Sequence, residues 1–238
     1  MAVASGRNSE ATTLIGTPGD ARCGCPYWLA IGCALAAACA LAIDVPVAQF
    51  FRPSENGAHS LPSDVRKLVS LAEVFAHGTG VASIVAALFV LDRNRRRAVL
   101  RILVSAFGAG LAANGVKLFV ARIRPHEFDF QGGVWETFSG AATLGKVGAA
   151  IQSFPSGHTA TAVGLAAGLA GLYPHGRWLF ATFALLAALQ RIEANAHYPS
   201  DVLAAAALGC LCAGLCRDPR FLGRWFDRWE RRGAGAST

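Results

Sequence analysis

The chain has 238 residues, 53% of them hydrophobic and only 16% charged, and its mean hydropathy is +0.40. So little charge lies well under the roughly 25% of ordinary soluble domains and excludes a conventional water-soluble protein. The net charge of +7 does not indicate a nucleic-acid partner, because many of the Lys and Arg sit in two runs beside apolar segments rather than along a face interleaved with aromatics.

A hydrocarbon core about 30 Å thick requires roughly 20 apolar residues per helix, so the apolar runs define the elements. The N-terminus is polar through about Asp20, and Arg22 precedes an apolar run from Tyr27. That run lacks a polar cleavage region and further apolar runs follow, so it reads as an uncleaved first span rather than a signal peptide. Spans are expected near 28–47, 68–91, 98–121, 156–173, 177–195 and 200–216. Their Ala and Gly content suits close helix packing. The predicted fold is all-α, a polytopic membrane bundle of about six transmembrane helices. A flexible cytoplasmic tail over 1–26 precedes a membrane-embedded domain over 27–216, and a basic cytoplasmic tail occupies 217–238. The seven cysteines include Cys33, Cys39, Cys210, Cys212 and Cys216 inside apolar runs, where small, soft residues pack between helices; Cys23 and Cys25 precede them.

Orientation follows from basic residues. Asp92-Arg93-Asn94-Arg95-Arg96-Arg97 links the second and third spans, and the tail carries Arg217, Arg220, Arg224, Arg228, Arg231 and Arg232. With an even number of spans these regions share one side, which the positive-inside rule makes cytoplasmic. The connections 48–67 and 122–155 then face outward. Trp225 and Trp229 suggest an amphipathic helix on the inner interface.

Charged groups against membrane spans are expensive and mark functional sites. Lys117 ends the third span, with Arg124-Pro125 beyond it; Pro155-Ser156-Gly157-His158 opens the fourth; Arg191 ends the fifth, followed by His197 and Asp201. The topology puts all three groups on the outer face. Lys117, Arg124 and Arg191 suit a phosphate dianion, with the arginines able to donate a bidentate fork. Ser156 and Gly157 at a helix start offer backbone N–H groups to an anion, and glycine permits close approach. The two histidines are the number a double displacement needs, one attacking phosphorus and one protonating the departing oxygen. A carboxylate four residues after His197 is placed to fix its tautomer. No metal-ligand spacing accompanies them, so neither metal nor other cofactor is expected.

These residues resemble the type 2 phosphatidic acid phosphatase superfamily, the lipid phosphate phosphatases. Its motifs are Lys-x6-Arg-Pro, Pro-Ser-Gly-His and Ser-Arg-x5-His-x3-Asp. The first two stand intact as Lys117-x6-Arg124-Pro125 and Pro155-Ser156-Gly157-His158, and the third reads Gln190-Arg191-x5-His197-x3-Asp201, with Gln in place of Ser. The resemblance spans roughly 65–216. It implies that His197 forms a phosphohistidine, Asp201 orients it and His158 protonates the leaving group. Lys117, Arg124, Ser156, Gly157 and Arg191 are implied to hold the phosphoryl oxygens. It further implies a hydrolase with a phosphorylated lipid as substrate, while the charge pattern puts the chain in the inner or plasma membrane with its site on the periplasmic or extracellular side. Polyprenyl diphosphate, phosphatidate, phosphatidylglycerol phosphate and a lipid A-type glycolipid phosphate all fit. A lipid phosphotransferase using the same histidine and a non-catalytic lipid or anion carrier are the alternatives. The family's further likeness to vanadium-dependent haloperoxidases is set aside by the six lipid-length runs. Glu73 and His77 share a helix face and read as a solvated helix end rather than the lining of a substrate entrance, and Glu193, Asn195, Arg122, His126 and Glu127 are assigned no catalytic role.

Overall fold

A computed structural model describes residues 26–53, 60–141 and 148–231. The predicted N-terminal tail, Cys23, Cys25 and the chain from Arg232 onward lie outside the described residues. Helix α1 (Pro26–Ala40) is followed by α2 (Asp44–Phe51), then by α3 (Ser63–Leu71), a 3-10 turn (Ala72–Phe75) and α4 (Gly78–Leu91). A second 3-10 turn (Arg93–Ala98) leads into α5 (Val99–Lys117), and α6 (Gly157–Leu172), α7 (Arg177–Glu193), α8 (Pro199–Arg217) and α9 (Gly223–Arg231) complete the described chain. Helices stand at all six expected positions. Between α5 and α6 lies an unexpected two-stranded antiparallel ribbon, β1 (Val120–Arg122) against β2 (Phe138–Ala141).

The first two expected spans are broken. The chain bends by 78° between α1 and α2 and by 65° between the α3 segment and α4. Pro46 has no N–H to continue the α1 ladder but is tolerated in the first turn of α2. At the second break, a Cβ on Gly80 would lie 1.8 Å from the Val74 carbonyl oxygen, so only glycine permits the fold-back. Among the described residues two continuous helices are long and apolar enough to cross a membrane alone, Arg93–Lys117 and Pro199–Arg217, and the total reaches four if each bent pair forms one span. Helices α6 and α7 have 16 and 17 residues, about 24–26 Å at 1.5 Å per residue, which is short of a full span.

Helix α6 is central, packed by α5, α7 and α8, with Ala160, Ala162 and Leu165 fully buried. Cβ atoms on Gly164 and Gly209 would meet the Ser105 carbonyl oxygen at 2.4 Å and Val163 at 2.7 Å, so α5–α6 and α6–α8 approach through these glycines. Trp28, Leu35, Leu111 and Leu185 are exposed on the outside, the pattern of a lipid-facing surface.

At one end of the bundle α9 docks on the arginine-rich turn. Arg101 pairs with Asp227 at 2.6 Å and Glu230 at 3.0 Å, and Arg97 Nη1 donates to the Trp229 carbonyl at 3.3 Å. The two basic regions therefore lie together, and the exposed Trp225 and Trp229 rings stack there with centroids 6.2 Å apart. At the other end the C-termini of α5 and α7 meet the N-termini of α6 and α8. The chemistry-bearing residues are there.

Candidate active site

Local sequence explains how each helix end presents its residue. Ser156 caps α6 from an extended conformation, its Oγ accepting from Thr159 N at 3.4 Å and from Thr159 Oγ1 at 3.0 Å. The remaining first-turn N–H groups of α6 have no helical partner and, with the positive end of the helix dipole, form an anion seat. Helix α7 ends in a tight reversal in which Asn195 takes a left-handed conformation (φ 52°), one that Asn tolerates, and His197 N donates back to the Arg191 carbonyl at 3.2 Å. Pro199 opens α8, and Asp201 two residues on accepts from Tyr198 N at 3.0 Å. The reversal and the proline set His197 and Asp201 on facing sides of one corner.

A cavity of about 350 Å³ opens where these ends converge, and Lys117, Arg124, Gly157, His158, Arg191 and His197 line it. Six of the eight expected residues thus share one wall. A Cβ on Gly157 would point toward Asn114 Oδ1 at 3.5 Å, inside cavity space rather than into a clash, so the glycine keeps room for a ligand. Asp201 lies behind the wall, fully buried, with Oδ2 at 3.7 Å from His197 Nδ1. That is ion-pair range and just beyond a hydrogen bond, a looseness common in ligand-free sites. His197 Nδ1 faces Asp201 and has no other partner among the described residues, which leaves Nε2 as the nitrogen available for attack. Ser156 is also fully buried; its hydroxyl is engaged in the cap and its N–H donates to the Asp201 carbonyl at 3.2 Å.

The cavity has more positive than negative charge. Burial and the neighbouring Arg191 pull Arg124 below the usual arginine range, with Asp201 opposing. Its Nε is buried without a hydrogen-bond partner among the described residues. Burial also holds His197 below the ordinary histidine value, against the pull of Asp201 and with the help of Lys117 and Arg124, so the imidazole is neutral near pH 7. Both features suit a site that takes an anion and attacks it with an unprotonated ring nitrogen.

Several residues given no catalytic role from sequence, and Asp44, which was not named, lie in or behind the site. Glu73 accepts from Arg191 Nη2 at 2.9 Å, and His77 lines the cavity with its ring centroid 6.1 Å from that of His158. Both stay solvent-accessible, as a solvated helix end requires, and they also border the site. The break between Phe75 and Gly78 turns both residues toward the site, and four-residue spacing on a continuous helix carried no signal of that break. Gln190, at the position of the family's serine, is buried and accepts through Oε1 from Arg191 Nε. Arg122 proves to be a fully buried partner of Asp201, and Asp44 a fully buried partner of Arg122.

Residues 98–220 match the family model described as PAP2 superfamily. The chain belongs to the PAP2 superfamily. The lipid A 1-phosphatase of Rhizobium etli is 33% identical to it over 170 residues, covering 64% of this chain and 70% of that protein. The lipid A 1-phosphatase of Rhizobium johnstonii is 40% identical over 101 residues, 42% of this chain and only 39% of that relative's length. The solved structure of a transmembrane PAP2-type phosphatidylglycerolphosphate phosphatase from Bacillus subtilis has the same fold, with a TM-score of 0.52 over 87% of this chain and 95% of that one at 17% identity. This PAP2 protein is a membrane-embedded phosphatase, and the converging helix ends hold the superfamily's three motifs in one cavity.

Proposed function

We propose that this phosphatase removes phosphate from a membrane lipid through a phosphohistidine at His197. The observation that carries the reading is the cavity itself, where three cations and two histidines converge on the N-terminus of α6, with a buried carboxylate behind His197. His197 Nε2 attacks phosphorus, a P–N bond forms and the P–O bond to the lipid breaks. Protonated His158 gives its proton to the departing oxygen. A water then loses its proton to the now neutral His158 and attacks phosphorus, the P–N bond breaks and inorganic phosphate leaves. Lys117, Arg124, Arg191 and the N–H groups from Gly157 onward stabilise the charge on the equatorial oxygens. Asp201 supports the positive charge that develops on the His197 ring.

Among the candidate substrates, the Rhizobium relatives favour a lipid A-type glycolipid carrying phosphate on its sugar. The cavity lies at the bundle end opposite the arginine-rich turn and α9, which under the positive-inside rule supports a site at the outer leaflet. Single cysteines at the exposed Ser139 and Arg231 test this: an impermeant thiol reagent should label position 139 in outer-membrane-permeabilised cells and spare position 231. The function itself is tested by assaying purified protein for inorganic phosphate released from lipid A-type, polyprenyl and glycerolipid phosphates. Release from the glycolipid should exceed the others. Cleavage of water-soluble phosphate esters with none from any lipid would overturn the reading.

A further inference from the structure

Arg122 is the largest fully buried side chain in the described protein, and its hydrogen bonds form a closed set. Nη1 donates to Asp201 Oδ1 and, at 2.7 Å, to Ser200 Oγ. Nη2 donates to Asp44 Oδ2 at 2.7 Å, and Nε donates to Thr137 Oγ1 at 3.0 Å. The guanidinium lies over the Tyr198 ring at 4.1 Å and the Phe138 ring at 4.5 Å. Asp44 opens α2 at the break after α1, and it is also fully buried. Its Oδ1 accepts from Ser200 N at 2.9 Å and its Oδ2 from Ser200 Oγ. Asp201 completes its own shell with Ser153 Oγ and Tyr198 N.

The charge count in this network bears on the nucleophile. Asp44 and Asp201 carry −1 each and Arg122 carries +1, so the fully buried group retains one net negative charge. Without Asp44, Arg122 and Asp201 would be a neutral pair, and a carboxylate neutralised by a buried arginine gives little support to a ring that becomes positive. Two salt bridges to one arginine thus allow Asp201 to be held rigidly and remain anionic toward His197. Asp44 lies outside residues 98–220, the part of the chain the family model matches.

We propose that Asp44 and Arg122 are positioning residues that fix Asp201 against His197 while leaving one net negative charge beside the nucleophile. The proposal rests on the assignment of His197 as nucleophile. It extends the active centre to the N-terminal helix pair, which would otherwise be read as a lipid anchor.

The test sets two substitutions with opposite charge effects against each other. Asp44→Asn takes the buried network from −1 to 0, and Arg122→Gln takes it to −2. The other charged groups around His197 are Lys117 on α5, Arg124 in the loop, His158 on α6, and Arg191 with its partner Glu73; neither variant touches them. Carbon-13 histidine spectra of the ligand-free protein in detergent should show the His197 titration midpoint falling by about 0.5 pH unit or more in Asp44→Asn and rising by a similar amount in Arg122→Gln. The turnover number of Asp44→Asn should fall about tenfold with KM little changed, because the phosphate clamp is intact. The double variant restores the charge to −1, so it should recover turnover relative to Asp44→Asn. A purely structural role makes the double variant worse than either single and moves the midpoints without opposite sign; that result overturns the proposal. Should Asp44→Asn not fold, the upward shift in Arg122→Gln alone decides it. Because the titration is read without substrate, it is independent of whether wild-type protein forms a phosphohistidine.

Discussion

Arg124 offers the sharpest single perturbation of the phosphate clamp. Its backbone is fixed independently of its side chain, N–H donating to the Ala150 carbonyl at 2.8 Å and C=O accepting from Glu127 N at 3.0 Å. Its buried Nε has no hydrogen-bond partner among the described residues, which leaves that donor for a phosphoryl oxygen. Arg124→Lys keeps the charge but replaces the fork with a point donor. One charge-assisted hydrogen bond in such a site contributes roughly 1.5–3 kcal/mol, which predicts a fall in kcat/KM of about 10- to 150-fold. Arg124→Ala removes the fork and the charge together and should cost about 10²- to 10⁴-fold. The assay is initial-rate phosphate release from the best lipid substrate in mixed micelles, with thermal melting of each variant in detergent as a control. Equal kcat/KM, within threefold, for wild type and Arg124→Lys refutes a bidentate role for Arg124.

Other expectations follow from the same cavity. Glu73 sits on Arg191 where a phosphoryl oxygen would bind, so Glu73→Gln should lower the inhibition constant for orthovanadate several-fold; an unchanged or higher constant means Glu73 does not compete. Activity should survive EDTA treatment, since three cations and the α6 N-terminus occupy the place that Mg²⁺ takes in other phosphoryl transfer, and loss of turnover restored by Mg²⁺ would contradict this. In wild-type protein the His197 ring should titrate below pH 6.5, keeping its nucleophilic form through mildly acidic pH and losing it only as pH falls through that lowered value; a midpoint at or above 6.5 in histidine spectra would refute the burial argument.

The sequence was most informative where chemistry and chain spacing coincide. Lys117, His158 after Pro-Ser-Gly and Asp201 sit at helix ends, with Arg124 and His197 in the loops beside them, so local spacing places each of them. The arginine runs predict that the turn at 93–98 and the basic tail share one side, and the Arg97 bond to the Trp229 carbonyl brings α9 against that turn. Contacts between distant segments left no such trace. Asp44 meets Arg122 across 78 residues and Ser200 across 156, and nothing in an apolar run reveals which way one acid turns. The breaks at 41–43 and 76–77 were hidden by hydropathy, which averages over a bend as readily as along a straight helix. The approach of Glu73 and His77 to the site was hidden for the same reason. The short ribbon of β1 and β2 escaped because strands of three and four residues carry little periodicity.

The central claim is a covalent phosphate on His197. Purified protein mixed with lipid substrate carrying radiolabelled phosphate, quenched in alkali within milliseconds and digested, should yield label on the peptide containing His197. The label should be lost in His197→Ala, while His158→Ala, which lacks the residue that activates water, should lower turnover at least about 100-fold. Label that persists in His197→Ala, or that maps to another residue, would contradict the account.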